Sequence, residues 1–258
     1  MADEDITITA QWTLTKYYVF AYIGNTKVDT FEFDIEHDVD FSDYVNAAYD
    51  FGGWYEEDVS NSEITSFTPI SSYGHTSGDI CVYGVIKTKG LTIVNNEVTG
   101  YVNGATRASN VVIPRIWKTE DTIYTITTIH ADAFKNDAAI QSIEMPFITT
   151  IQSGAFQYCD QLTAINLSKI TTIGDEAFAG CEGLTSINLS SATSIGSNAF
   201  AWTSITEITL SSNLVTLGDY AFRKCDISVI YYDGSKDAFE TLVNSTSGNT
   251  NLLNKIPD

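Results

Sequence analysis

Between Ile123 and Tyr232 the dipeptide Ala-Phe returns at Ala133-Phe134, Ala155-Phe156, Ala177-Phe178, Ala199-Phe200 and Ala221-Phe222, each step being 22 residues. An apolar frame travels with it. Ile129, Ile151, Ile173, Ile195 and Leu217 stand five residues before each Phe, and Ile140, Leu162, Leu184, Ile205 and Ile227 stand five or six after. Ile143, Ile165, Ile187, Ile208 and Ile230 follow, each with Met145, Leu167, Leu189, Leu210 or Tyr232 two positions on. One such segment cannot bury its apolar side alone, so a fixed period of this length predicts a solenoid of five stacked 22-residue coils.

Each L-x-x-I-x-L piece, such as Leu162 to Leu167, ends in a period-2 alternation that suits a short strand with Ile165 and Leu167 pointing inward. Equivalent residues should then form ladders along the whole array. The Ala-Phe side reads as helical or turn-like, because turn residues precede the aromatic plug in Gly174-Asp175-Glu176-Ala177-Phe178. The pattern I-G-x-x-A-F-x-x-C-x-x-L-x-x-I-x-L, matched throughout from Ile173-Gly174 to Leu189 with Cys181 in place, resembles the BspA-like, Treponema-type leucine-rich repeat. The resemblance covers five coils and implies a mainly β fold with short helices (α+β), a leucine-rich-repeat solenoid. It says little about a ligand.

The acidic balance narrows the partners. With 33 acidic against 13 basic residues the formal charge is -20, whereas contact with a phosphate backbone needs a basic footprint, so the balance argues against nucleic acid as a partner. Acidity concentrates ahead of the repeats, with 17 acidic and 4 basic residues in Met1 to Gly104. No apolar run is long enough to span a bilayer, and Met1 to Ala10 lacks the layout of a secretory signal.

Four cysteines occur without a C-x-x-C pair, and Cys159, Cys181 and Cys225 each stand three residues after a Phe. That regularity favours small buried thiols over a Cys159–Cys181 bridge or a zinc site. His37, His75 and His130 are too scattered to add ligands. No G-x-S-x-G elbow, P-loop, G-x-G-x-x-G or H-E-x-x-H is present, so no catalytic residue and no cofactor are expected.

Before the repeats, Asp5 to Trp12, Tyr17 to Tyr22, Thr30 to Ile35, a segment starting at Phe51 and Asp79 to Ile86 read as strands, with a short helix over Asp40 to Ala48. Phe51-Gly-Gly-Trp-Tyr55 and Asp79-Ile-Cys-Val-Tyr-Gly-Val-Ile86 resemble the Listeria-Bacteroides repeat, also seen as the internalin B repeat, with motifs F-x-G-W-Y and D-I-x-x-Y-A-x-W. Gly84 and Ile86 depart from it. The resemblance implies a small β-grasp-like module over 16–88, and Trp12 implies that 1–15 is the last strand of a preceding module, so the chain reads as a piece of something longer. Asp34, Glu36, Asp38, Asp40 and Asp43 could gather oxygens for calcium, but alternation with Phe31, Phe33 and Ile35 makes a solvated strand face the first reading.

Residues 89–122 read as linker and N-terminal cap, 123–232 as the repeats and 233–258 as C-terminal cap and tail. Phe239, Leu242 and Val243 of a terminal helix are expected against the last coil, and the stretch beyond Asn244 as a loop or frayed end. The candidate ligand surface is the residue between the inward pair of each strand, which gives the row Glu144, Asn166, Asn188, Thr209 and Tyr231. A second row, Thr128, Thr150, Thr172, Ser194 and Thr216, precedes the inward Ile or Leu; flat threonine arrays also occur in ice-binding solenoids, but the resembled family carries Thr there routinely. Tyr158 and Trp202, two residues after their Phe, are candidate anchors or else lie over the coil edge.

The resemblance implies a non-catalytic extracellular or cell-surface protein for binding and adhesion, from a bacterium. Its partners would be a host or neighbouring-cell surface protein, matrix or glycan. A phage virion component for structure or receptor binding, and a passive stalk, are the alternatives.

Overall fold

The computed structural model describes the backbone of residues 17–23, 26–33, 39–40, 49–55, 69–70, 72–73, 80–119, 122–253 and 255–256, with side chains from Lys87 onward except at 119. Backbone proximity divides the chain into two compact units, one formed by Met1–Tyr44 and Gly53–Gly84 and the other by Val45–Gly52 and Val85–Asp258.

Among the described residues of the N-terminal region lie the strands β1 (Tyr17–Ile23), β2 (Thr26–Phe33), β3 (Val39–Asp40), β4 (Tyr49–Tyr55), β5 (Pro69–Ile70), β6 (Ser72–Tyr73) and β7 (Ile80–Thr88). Five form a sheet in the order β2-β1-β7-β4-β5, and β3 pairs with β6. β1 and β2 make an antiparallel hairpin, β1 runs parallel to β7, and β4 is antiparallel to β5. Strands therefore stand where alternation places them, although β2 starts at Thr26, ahead of the expected Thr30. Asp40 lies in β3, not at a helix start; Phe41 to Ala48 and Asp5 to Trp12 lie outside the described residues.

In the repeat unit, β8 (Leu91–Val94) and β9 (Glu97–Tyr101) form a hairpin, followed by β10 (Asn110–Val112), β11 (Ile116–Thr119) and β12 (Thr122–Thr125). The coils contribute β13 (Thr128–Ile129), β14 (Ser142–Glu144), β15 (Thr150–Ile151), β16 (Ala164–Ile165), β17 (Thr172–Ile173), β18 (Ser186–Leu189), β19 (Ser194–Ile195), β20 (Glu207–Leu210), β21 (Thr216–Leu217) and β22 (Val229–Tyr232). The continuous ladder is the Thr-Ile one. A seven-stranded sheet runs β21-β19-β17-β15-β13-β9-β8, parallel from β9 to β21.

The L-x-x-I-x-L ladder, expected to run the whole length, is instead split into β10-β14-β16 and β18-β20-β22. β16 ends just before Asn166, whose Oδ1 accepts from the Ser168 amide and hydroxyl at 3.0 and 2.7 Å, and Asn188 turns back to the Ser190 amide in the same way. Asn188 makes its bond inside β18 and still pairs with Thr209, so the ladder breaks where β16 ends after two residues and not because of such a bond alone. Ile165, expected inside, is only half-buried there.

Phe134, Phe156, Phe178, Phe200 and Phe222 form one buried column, with adjacent rings 5.1 to 5.4 Å apart and within 8° of parallel. Each ring excludes water from the next, which is the burial a single coil cannot achieve. The Ala-Phe segment is a turn and not a helix. Its residues two before and two after each Phe all have positive φ, from Asp132 and Asn136 in the first coil to Tyr220 and Lys224 in the last. These bends are pinned from coil to coil, because the amides of Phe134, Phe156, Phe178 and Phe200 each donate at 2.8 Å to the Ala carbonyl of the following coil.

The glycine of the I-G pair has a steric cause. A Cβ on Gly174, Gly196 or Gly218 would come within 2.3 to 2.5 Å of the preceding coil's backbone. Glycine lets the chains approach there.

Both ends are covered. At the start, β9 pairs with β13 and β10 with β14, so the cap engages both ladders and begins with the hairpin at Leu91. At the far end, helix α1 (Lys236–Asn244) buries Phe239 and Val243, with Leu242 half-buried; Ser235 caps it by accepting from the Ala238 amide. The tail beyond Asn244 is not a free end. Ser247 O accepts from the Tyr220 amide, Asn249 Nδ2 donates to Gly218 O at 2.8 Å, and Lys255 O accepts from the Ile230 amide. Leu252 is fully buried. The tail thus supplies the bonds a sixth coil would have made, and its Ser, Thr and Asn content reflects those polar duties.

Candidate recognition surfaces

The A-F-x-x-C spacing puts each thiol under the preceding coil. Cys159 Sγ donates to Phe134 O, Cys181 to Phe156 O and Cys225 to Phe200 O, each at 3.0 Å. All three cysteines are free and buried, and act as small interior donors. Burial pushes the Cys159 thiol up from 9.0 to about 12, and raises Cys181 and Cys225 as well. Thiols held protonated in this way are poor nucleophiles at neutral pH. In the fourth coil Thr203 takes the position and donates to Phe200 O. In the first it is Asp137, buried, with Arg107 of the cap 3.8 Å from its Oδ2.

Among the described residues no three His, Cys, Asp or Glu side chains converge as metal ligands would. The Asp34–Asp43 run lies outside the described side chains.

The outward row stands where strand alternation puts it. Glu144, Asn166, Asn188 and Tyr231 are exposed and Thr209 is half-buried. Asn188, Thr209 and Tyr231 face one another in register across β18, β20 and β22. The row is not one uniform face, because Asn166 sits beyond the end of β16 and spends its carbonyl on Ser168. At the C-terminal end Thr209 and Tyr231 open onto a groove of about 550 Å³, which Ser190, Tyr232, Asp233 and Ile256 also line over Leu210 and Ile230. An apolar floor with a few hydroxyls and a carboxylate at the rim suits a small polar ligand group. Tyr232 and Asp233 were not among the sequence candidates; their signal was adjacency to Tyr231 at a coil end that the tail leaves partly open.

The threonine row is no flat exposed array. Thr128 is buried, Thr150, Thr172 and Ser194 are half-buried, and only Thr216 is exposed.

Tyr158 and Trp202 lie on the Ala-Phe edge, 53 % and 45 % exposed. They belong to the positive-φ row Asn136, Tyr158, Gly180, Trp202 and Lys224. The Tyr158 ring lies against Gly180, where a Cβ would come within 2.5 Å of Cδ1. Arg223 sits over Trp202 and over Tyr220, 5.2 and 5.5 Å from the ring centroids. The two aromatics therefore cover the coil edge and also expose ring surface. Arg223 and Tyr220 escaped sequence reasoning, since only the coil stacking brings them beside Trp202.

No helix among the described residues is long and apolar enough to cross a membrane. No curated protein matches the chain. Its repeat region is similar to a leucine-rich repeat protein from Bacteroides ovatus at 29% identity, covering 56% of this chain and 39% of that one with a TM-score of 0.49. It is also similar to the Treponema pallidum leucine-rich repeat protein, at 21% identity over 55% of this chain and 68% of that one with a TM-score of 0.49. A leucine-rich cell surface protein from Faecalibacterium prausnitzii matches at 19% identity over 57% and 54% of the two chains, with a TM-score of 0.40. This chain thus spans well under half of the Bacteroides protein and about half of the Faecalibacterium one. The family model of the BspA type leucine rich repeat region matches residues 125–249 in six copies, reaching past the five Phe coils into the tail that stands in for a sixth. With its Phe column, its I-G contacts and its interior thiols, this repeat array belongs to the BspA-type leucine-rich repeats.

Proposed function

We propose that the chain is a non-catalytic recognition protein, whose repeat array offers its strand-side row to a protein, matrix component or glycan of a host or neighbouring cell. The N-terminal unit serves as a β-grasp-like spacer, and the whole works outside the cell, at its surface. The observation that carries this reading is the groove at the end of the row, which half-buried Thr209 and exposed Tyr231 line in register beside Tyr232 and Asp233. The interior thiols are sequestered and protonated, so the polar exterior is what the array has to offer a partner.

The test is binding of the full chain to a panel of immobilised matrix proteins and glycans, with Tyr231→Ala and Thr209→Lys alongside. Signal on one or more panel members that falls at least fivefold in both folded variants supports the proposal. A blank panel, or binding that ignores both substitutions, contradicts it.

A further inference from the structure

We propose that the Ala-Phe edge of the array is a second binding surface, a track for an acidic oligosaccharide, with Tyr158 and Trp202 as stacking platforms and Arg223 as the partner of a sugar carboxylate. The proposal rests on reading the chain as a recognition protein, but uses a surface separate from the strand-side groove.

The row two after each Phe is left-handed in every coil, and asparagine, glycine and lysine fill it in the others. A bulky side chain in that conformation is costly, and a glycine would satisfy the turn. Neither Tyr158 nor Trp202 recovers the cost in the core, since both are about half exposed. The backbone does not demand them either, because the amides of Tyr158, Gly180 and Trp202 all make the same 2.8 Å bond to the next coil. What the aromatics add is ring surface.

The Tyr158 ring rests on Gly180 while the residue stays about half exposed. Trp202 follows two coils on. With ring-to-ring steps of 5.1 and 5.2 Å in the core beneath, the two coil positions that carry them are about 10 Å apart along the array. Two linked pyranose rings span such an interval, so alternate sugars of one chain can lay their C–H faces on Tyr158 and Trp202.

Arg223 is held between the Trp202 and Tyr220 rings and makes no ion pair among the described residues, and Lys224 stands next to it. On a chain of formal charge -20 this is a locally cationic spot. Of the carboxylates on the same coil, Asp219 already accepts from the Ser247 amide, while Asp226 is exposed. A guanidinium oriented by two rings offers a pair of parallel donors, the geometry that a carboxylate accepts. An acidic protein segment would bring the carboxylate but not flat apolar faces repeating at two-coil intervals, so the saccharide is favoured.

The experiment titrates the full chain with short oligogalacturonides, hyaluronan oligomers and sialyllactose. Carboxyl-reduced oligogalacturonides and a polyglutamate peptide are run in parallel, with tryptophan fluorescence and calorimetry as readouts. At least one acidic saccharide should bind saturably and change the fluorescence, and Trp202→Phe should remove most of that change. Arg223→Gln should weaken binding about tenfold with partial recovery in Arg223→Lys, and Tyr158→Ala about fivefold. Val215→Ser, at an exposed residue that belongs to neither surface, should leave this binding unchanged, and running the strand-side panel on Arg223→Gln separates a failure here from a failure at the groove. The proposal is overturned if none of the three saccharides binds, if the carboxyl-reduced oligomer or polyglutamate binds equally well, or if folded Arg223 and Tyr158 variants bind like wild type.

Discussion

At the residue scale, the repeat's two least hydrophobic interior requirements are its cysteine and its glycine, and each has a distinct physical cause. The thiol is a donor to a carbonyl of the preceding coil and keeps its proton because it is buried. Alkylation of Cys159, Cys181 and Cys225 in native protein at pH 8, on a Cys81→Ser background, should therefore be at least a hundredfold slower than in urea. A rate within tenfold of the unfolded one would show open coils. The same burial makes stability depend on pH. A thiol whose folded pKa lies above its unfolded one adds stability that is intact below about pH 9 and is lost as pH climbs toward about 12. The midpoint of thermal unfolding should fall across that window, and less steeply in Cys159→Ala. Trp202 is the opposite case, a large side chain the core does not need. Trp202→Ala should leave the melting temperature within a few degrees while weakening partner binding; a large loss of stability would show that it packs. Its alternatives were visible in the sequence, but its left-handed backbone was not, because a positive φ at Tyr158 and Trp202 emerges only beside Asn136, Gly180 and Lys224 in the stacked rows.

At the element scale, the coil was legible because its signals agree. The 22-residue period, the Ala-Phe plug and the inward Ile positions all describe one stack, and the Phe rings align within 8° as the period requires. Phe178→Ala, in the middle of the column, should cost about 3 to 5 kcal/mol by chemical denaturation. Gly196→Ala should cost about 1 to 3 kcal/mol, because its Cβ would meet backbone and not a side chain that can swing away. A neutral Gly196→Ala would mean the coils are looser than described. Two features ran against the sequence reading for a shared reason, namely that polar side chains bond to specific backbone groups that composition does not reveal. Asn166 takes Ser168 as partner where the outer ladder breaks, while Ser247 and Asn249 take the last coil as partner and order a tail whose composition reads as loop. Deleting residues after Asn244 should consequently lower the array's stability, leaving the Tyr220 and Ile230 amides unpaired and removing buried Leu252.

At the scale of the whole molecule, the repeats spend nearly all their apolar residues on one interior and leave a polar exterior with a few exposed aromatics, among them Tyr158, Trp202, Tyr220 and Tyr231. Of the candidate surface, the strand-side row could be read from alternation alone. The groove beside Tyr231 and the Arg223 cluster could not, since each depends on how the last coils meet the tail or one another. The central claim is that recognition resides on the outside of the repeat array and not in its core or in the N-terminal unit. Its most direct measurement is binding of the full chain carrying Tyr231→Ala and Trp202→Ala together, against wild type, on the same panel of matrix proteins and glycans. The account predicts binding reduced at least tenfold with the melting temperature within a few degrees of wild type. Undiminished binding by the folded double variant would contradict it.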